Sequence, residues 1–229
     1  MIENILITGA TSGLGLELAK SLCNTKCLIL VGRSKKKLDS IRLELGENHH
    51  YIHADLTVAD ALTKELNKLK LKINGFAHCA GAEVLIPVKF LSYEKFNESL
   101  NLNVYSFIEV VKYVAATKKY KDEFFTSIVA VSSVASDNGG AMQGVYSASK
   151  AALESLALPL SRELVKKKIR VNTIKPGLID NSMTRRWAQK VGIKDYSQLE
   201  LSGPALQDDV VELLKFLLSD NISSEIVFS

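Results

Sequence analysis

Tyr146 and Lys150 stand four residues apart in Tyr146-Ser147-Ala148-Ser149-Lys150, a spacing that sets a phenol and an ammonium one turn apart on one helix face. An ammonium beside a phenol favours the phenolate and draws its pKa toward neutral pH. Tyr146 could then exchange a proton with a substrate oxygen while a hydride moves at the adjoining carbon. Such pairs also occur on ordinary exposed helix faces, so this one needs company to mean an enzyme.

A second cluster supplies it. Thr8-Gly9-Ala10-Thr11-Ser12-Gly13-Leu14-Gly15 follows a short apolar run and leads into a segment of helical period. Glycines there allow a sharp turn and let a pyrophosphate approach the free N–H groups of a helix start. Gly9, Thr11, Ser12, Gly13, Leu14 and Gly15 are the residues expected against that ligand. The spacing is not the commoner GxGxxG, and a purely structural tight turn is the other reading of these glycines. After the second apolar run come Gly32 and Arg33. An NAD-binding site would place a carboxylate there for the adenosine ribose. Gly32 has none, whereas the Arg33 guanidinium could stack on adenine and pair with a 2′-phosphate, which favours NADP(H) and leaves NAD(H) as the alternative.

The elements that must position these groups are legible as alternation. Strand-length apolar runs at Ile5 to Ile7, Cys27 to Val31, Tyr51 to His53, Gly75 to Ala80, Ser127 to Val131 and Ile169 to Ile174 are separated by helix-period segments. That order implies βαβ units around a buried parallel sheet. Helices are expected at Leu14 to Leu22, Lys35 to Leu45, around Leu62, Leu66 and Leu69, at Tyr93 to Thr117, Ser147 to Leu164 and Asp208 to Leu218. Pro159 should bend the long helix that contains it. A last strand is expected at Glu225 to Phe228. No linker or repeat interrupts the series, so residues 1–229 read as a single dinucleotide-binding and catalytic domain. The polar stretch from Met183 to Pro204, with Trp187 and Tyr196, falls where a lid over a ligand crevice would sit, or is a plain surface excursion.

Composition excludes several classes. With 47% apolar and 24% charged residues the chain is neither disordered nor fibrous. The net charge of +4 comes from scattered Lys and Arg, which argues against nucleic acid or a membrane surface as partner. Cys23, Cys27 and Cys79 read as free thiols, and neither they nor His49, His50 and His53 show metal-ligand spacing, so no metal is expected. The opening Met1-Ile2-Glu3-Asn4 runs straight into a strand without a signal-peptide pattern, and a cytoplasmic location is expected.

Taken together, the clusters resemble the short-chain dehydrogenase/reductase family in its compact, single-domain branch, over nearly the whole chain. Its TGxxxGxG pattern is met by Thr8, Gly9, Gly13 and Gly15, and its YxxxK pair by Tyr146 and Lys150. The resemblance places the catalytic serine at Ser133 and the catalytic asparagine at Asn103. It implies that Ser133 bonds the substrate oxygen and Tyr146 acts as acid or base. It further implies that Lys150 binds the nicotinamide ribose and that Asn103 holds a relay water. Asp55 and Leu56 would touch adenine, Ala80 and Gly81 leave room for the cofactor, and Pro176, Gly177 and Ile179 carry the nicotinamide contact. The implied fold is a doubly wound Rossmann sheet of about seven parallel strands with helices on both faces. The implied partners are a small carbonyl or alcohol substrate and a second copy of the chain, as a homodimer rather than an assured tetramer. The leading expectation is an NADPH-dependent reductase of a ketone or 3-oxoacyl group. An NAD-linked alcohol or sugar dehydrogenase, and a dinucleotide-binding protein without turnover, are the alternatives. Two departures stand out: His78-Cys79-Ala80-Gly81 where the family shows NNAG, and Asn181 where it often has threonine near the phosphates.

Overall fold

The computed structural model describes residues 3–118, 124–197 and 203–219. Six parallel strands form one sheet in the order β3-β2-β1-β4-β5-β6. They are β1 (Asn4–Thr8), β2 (Cys27–Gly32), β3 (His50–His53), β4 (Gly75–His78), β5 (Thr126–Val131) and β6 (Ile169–Ile174). The expected seventh strand at 225–228 lies outside the described residues.

Side chains alternate across the pleat, and here both faces are dry. Leu6 of β1 joins Ile29, Phe76, Phe107, Val110 and Leu153 in a core on one side. Ile5 and Ile7 join Leu18, Leu28, Leu30, Leu214 and Leu217 on the other. The first core is closed by α3 (Ala61–Leu69), α5 (Ser106–Thr117) and α7 (Gly144–Leu164), and the second by α1 (Gly13–Leu22) and α9 (Gln207–Leu217). Among the described residues no helix is long and apolar enough to cross a membrane.

One expected helix differs in detail, and a second contains a proline. The segment expected as one helix from Tyr93 to Thr117 is α4 (Tyr93–Leu100), a π-helical turn at Asn101–Tyr105, and α5. Periodicity cannot show that inserted turn, because the side chains on either side keep a helical stripe. The second is α7, which passes uninterrupted through Pro159. Pro159 is exposed, so the carbonyl it leaves without an N–H partner lies on the face that solvent can reach.

Strand order reverses between β1 and β4, which are paired with Thr8 opposite His78. A crevice at the carboxyl ends of the strands is the usual ligand position in such sheets. The chain leaves β6 toward this crevice, forms α8 (Ser182–Val191), and returns to where it left. Ala205 N–H donates to Leu178 O at 2.8 Å and Asp180 N–H to Ala205 O at 3.1 Å, closing the neck of the excursion.

Candidate active site

At the switch point lies a cavity of about 570 Å³, lined by the turn after β1, the turn after β4, the end of β5, the start of α7 and α8. Ser133, Tyr146 and Lys150 are on its wall. Ser133 follows β5 and accepts the Ala135 N–H at 3.2 Å. Its hydroxyl faces the same cavity as the side chain of Tyr146, a residue only 9% exposed. Lys150, one turn further along α7, places Nζ 5.7 Å from the Tyr146 ring centre and donates to Val131 O at 2.7 Å.

Burial governs the electrostatics. It pushes the Tyr146 phenol up to about 12, with the Glu83 charge adding to the rise and the Ser133 hydroxyl opposing it. It pushes the Lys150 ammonium down to about 8. The expectation that Lys150 draws the phenol toward neutrality is therefore not met in the protein alone. The ammonium is spent on the Val131 carbonyl, and removing the phenolate from water costs more than a cation at this remove returns. A protonated Tyr146 at neutral pH is the form that can donate to an oxyanion.

Asn103 lies behind the wall rather than on it, fully buried. Its Nδ2 donates to Ser149 Oγ at 2.8 Å and its Oδ1 accepts the Ala82 N–H at 3.1 Å. Ser149 in turn donates to the Tyr146 carbonyl at 2.7 Å. The π-turn is thus tied both to the turn after β4 and to the first turn of α7. π-turns are frequent at functional sites because they aim a backbone segment that a regular helix cannot.

His78 takes the place of the family's first asparagine and completes this frame. Its Nε2 lies 3.3 Å from Asn103 O and its Nδ1 2.9 Å from Thr8 Oγ1. Because a carbonyl only accepts, Nε2 carries the proton and Nδ1 accepts from the threonine hydroxyl. Burial and the nearby Lys150 charge lower the imidazole to about 3, so it is neutral. Thr8 Oγ1 also accepts the Ala80 N–H at 3.3 Å. The chain of bonds joins the glycine turn, the Ala80-Gly81 turn and Asn103, which accounts for the tolerance of His78 at this position.

The glycine turn has the shape a diphosphate requires. Gly9 sits at φ +69°, and a Cβ there would come within 2.8 Å of Ala80 N. A Cβ on Gly15 would lie 2.5 Å from Gly9 O. Ser12 caps α1 with extended backbone and makes no side-chain cap bond, and no acidic residue occupies the first turn. The helix start therefore offers N–H groups to an anion. Gly9, Ser12, Gly13 and Leu14 line the cavity, as do Ala80, Gly81, Pro176, Gly177 and Ile179. These residues could hold a dinucleotide from its diphosphate to its reactive ring.

The remaining expected contacts lie outside the cavity. Gly15 is buried behind Gly9. Arg33 is exposed beyond β2, and Thr11 sits over Gly32, where a Cβ would meet its Cγ2. Asp55 Oδ1 accepts the Thr57 N–H at 2.9 Å and hydroxyl at 2.8 Å, which with the Arg33 charge holds its carboxyl below the usual range. Leu56 is buried. These groups surround the end of β2, where an adenosine would reach.

Sequence reasoning missed Glu83, Gln143 and Ser149. The Gln143 Nε2 to Glu83 Oε1 bond, 2.6 Å long, joins residues sixty apart in the chain, and no local pattern signals it. Within the expected lid, Met183, Thr184, Arg186 and Trp187 line the cavity, whereas Tyr196 donates to Asp180 Oδ1 at 2.8 Å. Residues 198–202 of that stretch lie outside the described residues. Asn181 caps α8, accepting from Met183 N–H at 2.8 Å and Thr184 N–H at 3.0 Å. Two of the three histidines outside the site have structural partners: His49 Nδ1 accepts the Leu28 N–H at 3.3 Å, and His53 Nε2 lies 3.0 Å from Arg33 O.

Comparison with known proteins agrees with this geometry. The family model described as short chain dehydrogenase matches residues 3–192. The 3-hydroxyacyl-CoA dehydrogenase type-2 of Drosophila melanogaster is 31% identical over 209 residues, 83% of this chain and 81% of that one. The 3-oxoacyl-(acyl-carrier-protein) reductase of Buchnera aphidicola is 29% identical over 94% of this chain and 89% of its own. A solved 4-hydroxyisoleucine dehydrogenase complexed with NADH superposes with a TM-score of 0.87 at 25% identity, covering 99% of this chain and 97% of that one. The chain belongs to the short-chain dehydrogenase family of NAD(P)-dependent oxidoreductases.

Proposed function

We propose that this protein reduces a ketone or 3-oxoacyl-type carbonyl to an alcohol with NADPH. The observation that supports the reading is that Ser133, Tyr146 and Lys150 share the wall of one cavity with the glycine turn of Gly9, Ser12 and Gly13. The bound dinucleotide supplies the hydride. Ser133 donates a hydrogen bond to the substrate carbonyl oxygen, and Tyr146 gives that oxygen its proton as charge develops on it. Lys150 exchanges its Val131 bond for the nicotinamide ribose and brings its charge to bear on the phenol. Asn103 holds the turn after β4 against α7, and a relay water at its carbonyl shares that oxygen with His78. Helix α8, whose Met183, Thr184, Arg186 and Trp187 line the cavity, acts as the lid.

NADP(H) is favoured because Arg33 is exposed at the end of β2 and Gly32 places no carboxylate beside it. The similar 4-hydroxyisoleucine dehydrogenase is complexed with NADH, which keeps an NAD-linked dehydrogenase as the second reading. A homodimer would pair the long helical segment 93–117 and α7, where Tyr93 on α4, Tyr105 in the π-turn and Leu158 on α7 are exposed.

Fluorescence titration decides the cofactor. Wild type is expected to bind NADPH more tightly than NADH. Arg33→Ala should weaken NADPH about 10- to 100-fold, the loss of a charge-assisted phosphate contact, and leave NADH nearly unchanged. An unaltered NADPH to NADH ratio in the variant would overturn the NADPH assignment and favour the NAD reading.

A further inference from the structure

We infer that Glu83 is a specificity residue, selecting carbonyl substrates that carry a neutral hydroxyl donor close to the reacting carbonyl; the inference rests on the reductase reading and names its substrate class. Glu83 lines the same cavity as Tyr146 and Ser133, two residues beyond Gly81. Its Oε1 is taken by Gln143 Nε2 at 2.6 Å. The orientation of that amide is determined from its other end, where Gln143 Oε1 accepts the Gly140 N–H at 2.6 Å. Gln143 is buried, and the loop that carries it is held by Ile86 N–H donating to Met142 O at 2.9 Å, with Met142 in the left-handed region at φ +67°. The carboxylate is therefore held in place by a rigid partner. Among the described residues its second oxygen has no protein donor.

A carboxylate is a costly choice for holding one glutamine amide, since a neutral acceptor would serve and burial penalises the charge. Burial indeed raises the Glu83 carboxyl, while the Gln143 hydrogen bond and the charges of Lys190 and Arg186 oppose the rise. Arg186 also lines the cavity. The same balance narrows the ligand. A carboxylate substrate would face Glu83, and an ammonium would face Arg186 and Lys190. A neutral O–H donor meets the free carboxylate oxygen without opposing either cation. A fixed carboxylate oxygen facing the cavity discriminates against analogues that lack the donor, because only a substrate carrying the hydroxyl gains that charge-assisted hydrogen bond.

The test compares butan-2-one with 3-hydroxybutan-2-one and 4-hydroxybutan-2-one as substrates, and reads the ratio of kcat/KM between the better hydroxyketone and the plain ketone. Wild type is expected to favour the hydroxyketone by about tenfold or more. Glu83→Leu should bring that ratio close to one. Glu83→Gln, which keeps the shape and a neutral acceptor, should lower it by about threefold and serves if the leucine variant does not fold. A wild-type ratio near one, or a preference that survives both substitutions, overturns the inference while leaving the reductase reading intact. If no ketone is turned over, the reductase reading fails separately. Calorimetric titration of the same compounds into the wild-type protein with NADP+ then decides the inference, and equal affinities overturn it.

Discussion

Replacing Tyr146 by phenylalanine should lower kcat for carbonyl reduction by about three orders of magnitude and leave NADPH affinity within about twofold, since the lost hydroxyl makes no contact comparable to an ion pair. The reason is local. The ring is 9% exposed and sits between the cavity and the first turn of α7, so phenylalanine fills the same space. The Ser133 hydroxyl still faces the cavity and keeps its bond from Ala135 N–H. Folding is therefore preserved, with a cost of about 1 kcal/mol, and the loss appears in chemistry alone. Single-turnover rates with prebound NADPH measure it. Activity within tenfold of wild type would remove Tyr146 from the proton transfer.

The second large effect concerns the cradle. Gly9→Ala should cost about 2–4 kcal/mol of stability and weaken dinucleotide binding by more than tenfold. Two effects combine. At φ +69° an alanine is strained, and its Cβ would stand 2.8 Å from Ala80 N and 2.9 Å from both Ala80 Cα and Cys79 C. All three atoms are backbone, so the relief must come from moving the turn after β4, which Thr8, His78 and Asn103 hold in place. Gly144→Ala is the control. It starts α7, and a Cβ there meets nothing within 4 Å, so that substitution should be neutral or slightly stabilising. Thermal denaturation of both variants, with and without NADPH, separates the strain from the cofactor contact. Equal behaviour of the two would show that the turn after β1 is not a rigid cradle.

What was legible in the sequence followed periodicity and punctuation. Buried strands such as Cys27–Gly32 are short apolar runs, and Leu18 and Leu22 repeat at helical spacing, so the alternation that builds the sheet could be read directly. The glycine turn and the Tyr146/Lys150 pair are local clusters whose chemistry depends on neighbours in the chain. Three features were not legible, each for want of a long-range contact. The π-turn at Asn101–Tyr105 depends on Ser149, Ala82 and His78, drawn from two other elements. The pairing of Glu83 with Gln143 depends on how the turn after β4 meets the start of α7. The raised phenol depends on burial that spacing alone does not convey, which is why a lysine one turn away suggested the opposite shift.

Transfer of deuterium from NADPH labelled at the nicotinamide C4 to a panel of ketones and acyl thioesters, with cofactor absorbance followed alongside, tests carbonyl reduction itself. At least one carbonyl compound is expected to be reduced, with one alcohol formed per cofactor oxidised and the label on its carbinol carbon. NADPH that binds without label transfer to any member of the panel, or a protein that binds neither NADPH nor NADH, would contradict it.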